Sequence, residues 1–192
     1  MNRPLKILFA GEGGQGVQTI AKLMAQAAFK QGLKTIYIPN FGVEQRGGVS
    51  MAFVQIGEME IDSPKFQIAD IAVVLSDRAY QRMNMHLGKK TKVVYDPYTV
   101  SSSVEEIKKK VEESFEILAT ETSKAQKMPR SANVLIMGAV NDLASIVDRE
   151  ILIDEMHNKF KKYYEKKPEL KELNVRAFKL GERFMPGGET GE

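Results

Sequence analysis

Residues 11–16 read Gly-Glu-Gly-Gly-Gln-Gly, and they stand between two contrasting patterns. Before them, Leu5-Lys6-Ile7-Leu8-Phe9-Ala10 is a short apolar run of the kind that forms a buried parallel strand. After them, Val17, Ile20, Leu23, Met24, Ala27 and Ala28 fall at helical spacing, and Gly32 is placed to end that helix. A strand that turns at once into a helix through glycines restricts the chain to an α/β architecture, because the helix must lie back against the sheet. Residues 35–38 then read as a second strand stopped by Pro39, so the first forty residues predict a βαβ unit with a right-handed crossover.

The rest of the chain extends this pattern. Residues 49–56 are rich in strand formers, Gly57-Glu58 suits a turn, and residues 59–61 are expected to return as the second arm of a hairpin. Residues 71–75 are the strongest buried-strand signal, followed by a helix over 77–87 capped by Ser76. Residues 92–95 predict another strand. Ser103 with Glu106 predicts a capping box for a helix to about residue 113. A strand over 115–119 and a short helix over 121–127 are expected next. Residues 131–147 form a helix apolar on most sides, hence buried, and two amphipathic helices follow over 149–163 and 169–184, separated by Pro168. The expected fold is a three-layer, Rossmann-like, mostly parallel sheet with a β-hairpin insertion and C-terminal helices. One domain should span residues 1–185, with 186–192 a disordered tail lacking any periodicity.

Gly11, Gly13 and Gly16 satisfy the G-x-G-x-x-G spacing of dinucleotide folds, and glycines ahead of a helix N-terminus favour a phosphate or another anion. The second half of that fingerprint is missing. A ribose-binding acid is wanted at the end of the second strand, where this chain has Ile36-Tyr37-Ile38-Pro39-Asn40. A P-loop is excluded too, since Val17-Gln18 stand where Lys-Ser/Thr is needed. Glu12 brings negative charge into the loop and argues against simple pyrophosphate binding. The glycines therefore serve an anion, or only a tight turn with close helix packing.

Composition narrows the chemistry. The 192 residues contain no cysteine, which removes disulfides, Cys nucleophiles, thiolate-held zinc and iron–sulfur clusters held by the chain's own thiolates. The balance of 28 Lys+Arg against 25 Asp+Glu gives +3, no nucleic-acid signature. No apolar stretch reaches membrane-spanning length, and the first residues lack the apolar core of a signal peptide, so no membrane and a cytoplasmic setting are expected. The two histidines, His86 and His157, sit in helical segments and read as surface or packing residues. No Ser-His-Asp set and no metal-ligand cluster appears, so neither a catalytic residue nor a metal site is expected in this chain.

A second unusual stretch, Pro39-Asn40-Phe41-Gly42-Val43-Glu44-Gln45-Arg46-Gly47-Gly48, follows the second strand and so should lie at the same sheet edge as the glycine loop. It combines the opposite charges of Glu44 and Arg46 with Phe41 and the glycines Gly42, Gly47 and Gly48. With Thr19, Ala21 and Ala28 beside the Gly11–Gly16 loop, and Asn133-x-x-x-x-Gly138-Ala139 in the buried helix, the sequence resembles the gamma subunit of 2-oxoacid:ferredoxin (acceptor) oxidoreductases, over residues 5–185. The glycine loop looks closer to the 2-oxoglutarate and branched-chain types than to the pyruvate type. Indolepyruvate oxidoreductase beta chains carry a similar domain.

The resemblance implies conversion of a 2-oxoacid, coenzyme A and oxidised ferredoxin into acyl-CoA, carbon dioxide and reduced ferredoxin. Thiamine diphosphate would sit in alpha and beta partner subunits, and iron–sulfur clusters in partners, often a delta subunit. Coenzyme A would be the co-substrate, ferredoxin the acceptor of the complex, and no cofactor would be bound by this chain alone. A homodimer is a further expectation for the isolated chain. The residues expected to contact coenzyme A or the other subunits are Gly11, Glu12, Gly13, Gly14, Gln15 and Gly16 of the first loop, Phe41, Gly42, Glu44, Arg46, Gly47 and Gly48 of the second, and Asn133. The competing expectations are a free-standing nucleotide-binding protein and a pure assembly subunit without ligand contact.

Overall fold

The computed structural model describes residues 3–42, 47–128 and 130–185. Strands β1 (Leu5–Glu12), β2 (Lys34–Phe41), β3 (Val49–Gly57), β4 (Ile71–Val74), β5 (Lys92–Tyr95) and β6 (Glu113–Glu116) form one sheet in the order β2-β3-β1-β4-β5-β6. The helices are α1 (Val17–Lys30), α2 (Asp77–Met83), α3 (Val104–Lys110), α4 (Ala119–Ala125), α5 (Ala132–Ala144), α6 (Arg149–Lys166) and α7 (Glu169–Glu182).

Period-two alternation assigns each strand's side chains to two cores. Ile7, Phe9, Val54 and Val73 face a layer that includes α1, α5, α6 and α7. Leu8, Ala10, Phe53 and Val74 face the opposite layer, where α2 and α3 contribute Ala79, Tyr80, Met83 and Ile107. The expected three-layer α/β architecture is thus present, with five of six strands pointing one way.

Two local expectations change. First, β1 and β2 are not neighbours: β3 lies between them, antiparallel to both. β3 is buried at eight of nine positions, as an interior strand must be, while β2 is half-exposed and carries Pro39, which an edge strand tolerates. For the same reason β2 runs through Pro39 to Phe41. Second, the hairpin is made by β2 and β3 rather than by β3 and residues 59–61, which form no strand.

Helix termini follow local chemistry. The Ser76 hydroxyl accepts from the Ala79 N–H at 3.1 Å, as the sequence predicts. Ser103 makes no such cap. Its backbone N–H instead donates to Asp77 Oδ1 at 2.8 Å. Burial lifts the Asp77 carboxyl, but hydrogen bonds from Ser103, Ser102 and Ser101 outweigh it and leave the group below its ordinary value. The helix stops at Lys110, and the strand that follows starts and ends earlier than expected, at Glu113–Glu116. α1 closes as predicted: Gly32 has φ +92, its N–H donates to Phe29 O, and Leu33 N–H donates to Ala28 O.

α5 and α7 cross at two reciprocal glycines. A Cβ on Gly138 would run into the Phe178 carbonyl, and one on Gly181 into the Leu135 carbonyl. The close crossing also buries Phe178 completely. Residues 186–192, expected as a tail, lie outside the described residues. Gly181→Ala is expected to destabilise the chain by about 3 kcal/mol through overpacking, lowering Tm by roughly 6–12 °C in thermal unfolding followed by circular dichroism.

Candidate functional site

The register of β1 against β3 pairs Glu12 with Val49, so the glycine loop and the second loop emerge side by side at one sheet edge. Gly13 N–H donates to the Gly48 carbonyl at 3.1 Å and ties them together. Gly42 N–H closes the second loop on the Val49 carbonyl at 3.0 Å. Between the loops lies a groove of about 770 Å³. Its lining includes Glu12, Gly13, Gly14 and Gly16 from the first loop and Phe41, Gly42, Gly47 and Gly48 from the second. Phe41 stands at its rim, 67% exposed.

The remaining first-loop residues lie beneath the groove. The Gln15 side chain accepts from the Glu12 N–H at 2.6 Å and donates to the Leu75 carbonyl at 2.6 Å, stitching the loop to the end of β4. Gly11 is buried there: a Cβ would meet Gln15 Oε1 and Val17 Cγ2 at 2.7 Å. Gly16 has φ +78, and a Cβ on it would overlap the Asn133 side-chain amide. Asn133 therefore braces the loop from α5 behind it. Glu44 and Arg46 lie outside the described residues.

The electrostatics favour an anion in the groove. Gly16 stands at the N-cap of α1 and offers no side chain to the first helical N–H groups, and the first turn contains no acid. The unfavourable Glu12 carboxylate is met by Arg78 Nη1 at 3.6 Å. The same guanidinium donates to the Gly47 carbonyl at 3.1 Å, so it spans both loops. On the far wall, Gln18 Nε2 donates to Ser50 Oγ at 2.6 Å and to the Met51 carbonyl at 2.8 Å. Gln18 Oε1 accepts from the Tyr37 hydroxyl at 2.6 Å. Burial holds the Tyr37 hydroxyl above its ordinary pKa, so it remains a donor across neutral pH.

Sequence reasoning did not reach Arg78, Gln18 or Tyr37. Their neighbours come from other strands, and only the strand order brings them to this edge. Arg78 stands in the first turn of α2, two residues after the Ser76 cap, and knowledge that β4 adjoins β1 would have pointed to it. Among the described residues no cluster of three or more His, Cys, Asp or Glu is placed to hold a metal. No helix among them is long and apolar enough to cross a membrane.

Residues 6–184 match the pyruvate ferredoxin/flavodoxin oxidoreductase family. The chain belongs to that family. It is 29% identical over 182 residues to the 2-oxoglutarate synthase subunit KorC of Archaeoglobus fulgidus, covering 94% of this chain and 88% of that one. It is 31% identical over 178 residues to the Pyrococcus furiosus "pyruvate/ketoisovalerate oxidoreductases common subunit gamma", covering 90% and 92%. It superposes with a TM-score of 0.84 and 27% identity on a 2-oxoglutarate:ferredoxin oxidoreductase from Magnetococcus marinus, solved with 2-oxoglutarate, coenzyme A and succinyl-CoA bound. That match covers 95% of this chain and 31% of the other. The chain is thus a gamma-type subunit of a multi-subunit 2-oxoacid:ferredoxin oxidoreductase.

Within this family member the bracing of Gly16 by Asn133 can be measured. Gly16→Ala should cost more than 2 kcal/mol in chemical denaturation, from left-handed strain of about 1–2 kcal/mol plus the overlap. Adding Asn133→Ala should recover only the overlap and leave the backbone strain.

Proposed function

We propose that the groove between the two glycine loops forms the coenzyme A side of an active site shared with partner subunits. The observation that carries this is the Gly13–Gly48 hydrogen bond, which joins two loops around a groove at the uncapped N-terminus of α1. Coenzyme A presents a pyrophosphate, and backbone N–H groups at a helix start recognise such a group without a dedicated cation. Arg78, already paired to Glu12, offsets the acid of the first loop that would repel it. Arg46, on sequence grounds, adds a guanidinium suited to a phosphate or to an acidic partner residue.

In this reading the chain docks on alpha and beta subunits, which hold thiamine diphosphate, and iron–sulfur clusters in partner chains or a delta subunit pass electrons to ferredoxin. Thiamine diphosphate supplies the carbanion chemistry there. This chain contributes no thiolate, having no cysteine, and among the described residues the groove lining holds no acid–base group other than the paired Glu12. Its work is to bind and orient coenzyme A and to close the site against water. The 2-oxoacid itself is selected elsewhere, a division supported by the Pyrococcus furiosus subunit being named as common to pyruvate and ketoisovalerate enzymes. The coenzyme A bound in the Magnetococcus marinus oxidoreductase supports the ligand class.

Gly47 tests the reading because its φ is +71 and a Cβ there meets open space. Gly47→Asp in the assembled enzyme is expected to raise KM for coenzyme A about tenfold, the effect of about 1.4 kcal/mol, with KM for the 2-oxoacid unchanged. Gly47→Asn, which tolerates positive φ without charge, should have a much smaller effect. Arg46→Ala should shift KM for coenzyme A in the same direction. Unchanged KM values in fully assembled enzyme would overturn the reading, and loss of assembly without any selective KM change would assign the loops to docking alone.

A further inference from the structure

Positive charge is concentrated along α7. A groove of about 710 Å³ follows the outer side of that helix, with Gln126 at the end of α4 in its wall. Lys171, Arg176, Lys179 and Arg183 line it, and Glu172 is the acid among them. Four cations against one acid give the groove lining a net +3, equal to the formal net charge of all 192 residues. The remainder of the chain balances, so its excess charge is gathered on one helix.

Helical spacing explains the arrangement. Residues 172, 176, 179 and 183 recur every three or four positions and share one face of α7. Val175 and Leu180, both half-buried, supply apolar surface among the charged side chains. The opposite face packs on α5 and buries Ala177, Phe178 and Gly181. That face positions the helix, which leaves most of the charged face without an internal task. Arg176 donates to the Gln126 side-chain oxygen. The side chains of Lys171, Lys179 and Arg183 make no hydrogen bond or salt bridge among the described residues. Glu182, the carboxylate whose charge Lys179 feels, is buried and held by Arg149 at 2.8 Å. Like charges crowded on one helix face repel, and opposite charge brought from outside relieves that repulsion.

We propose that this groove docks an acidic segment of a partner subunit, with its carboxylates on Lys171, Lys179 and Arg183 and its apolar side chains on Val175 and Leu180. The inference rests on the reading that the chain works packed against partner subunits. From Lys171 to Arg183 a helix rises about 18 Å, which roughly five or six extended residues or about three helical turns would cover. The groove starts beside the sheet edge that carries the two glycine loops. α4 begins just beyond β6, and Ser131 Oγ donates to Asn174 Oδ1 at 3.0 Å, two residues before Asn133 meets Gly16. A second copy of this chain fits the groove poorly, because two faces of the same positive charge repel across a two-fold axis. The electron acceptor fits less well too, because the chain has no cysteine to hold an iron–sulfur cluster near it.

Carbodiimide, which joins an amine directly to a carboxylate in contact with it, tests the docking in the assembled enzyme. The expected products link Lys171 or Lys179 to an Asp or Glu of a partner subunit. A Lys179→Glu/Arg183→Glu chain mixed with the remaining subunits is expected to associate about tenfold more slowly at low ionic strength, with the difference shrinking at high salt. Both side chains are exposed, so circular dichroism should show an unchanged fold. Lys108→Glu/Lys109→Glu, on the exposed side of α3 in the other layer, changes net charge equally and should leave association unchanged. Equal slowing by both pairs would report net charge alone and overturn the groove. Unchanged association would overturn it whatever is cross-linked, and so would cross-links that join two copies of this chain or reach only the electron acceptor. Should the α7 reversals be silent while Gly47→Asp raises KM for coenzyme A, the active-site reading stands without the docking groove. With Gly47→Asp silent as well in fully assembled enzyme, the two fall together.

Discussion

The pairing of Glu12 with Val49 is the contact on which the site depends. Because β3 is antiparallel to β1 and β2 alike, the chain leaves β2 and returns into β3 at the edge where β1 turns into α1. Had β2 paired directly with β1 as in an ordinary βαβ unit, the second loop would still have started at this edge, but no reversed strand would tie its far end to the glycine loop. The insertion of one reversed strand instead sets two glycine-rich loops in hydrogen-bond contact. A parallel pair would need a crossover of a dozen residues or more, whereas an antiparallel pair permits this short return.

The glycines of this chain divide by cause. Gly16 and Gly47 adopt positive φ. Gly11, Gly138 and Gly181 are required by contact, since a Cβ on each would meet a neighbour already in place. Gly138 joins the buried helix to α7, and Asn133, five residues earlier on the same helix, touches Gly16. One helix therefore takes its position from α7 and passes it to the glycine loop. This gives a physical account of why Asn133 and Gly138 occur together: the first sets the loop, and the second sets the helix that carries the first.

Much of the fold can be read from residue patterns alone. Strand and helix signals at residues 5–10, 71–75 and 92–95 and in the four long helices are strong because apolar periodicity is local. The partner of β3 was not readable, because Pro39 suggested an end to β2 and the choice between β2 and residues 59–61 depends on long-range pairing. The capping box at Ser103 failed for a related reason: Asp77, 26 residues away, takes both the Ser103 N–H and the Ser103 side-chain hydrogen bond. In the candidate site the glycines were visible, while Arg78, Gln18 and Tyr37 were not. Their roles exist only once strand order brings α2, α1 and β2 to one edge.

The absence of cysteine acquires meaning from this geometry. A chain without thiolates to hold an iron–sulfur cluster can still contribute to oxidative decarboxylation by controlling what reaches the reacting atoms and how it is oriented. Backbone N–H groups in a braced glycine loop suit that task better than flexible cations, because their direction is set by the fold and they need no reorganisation on binding.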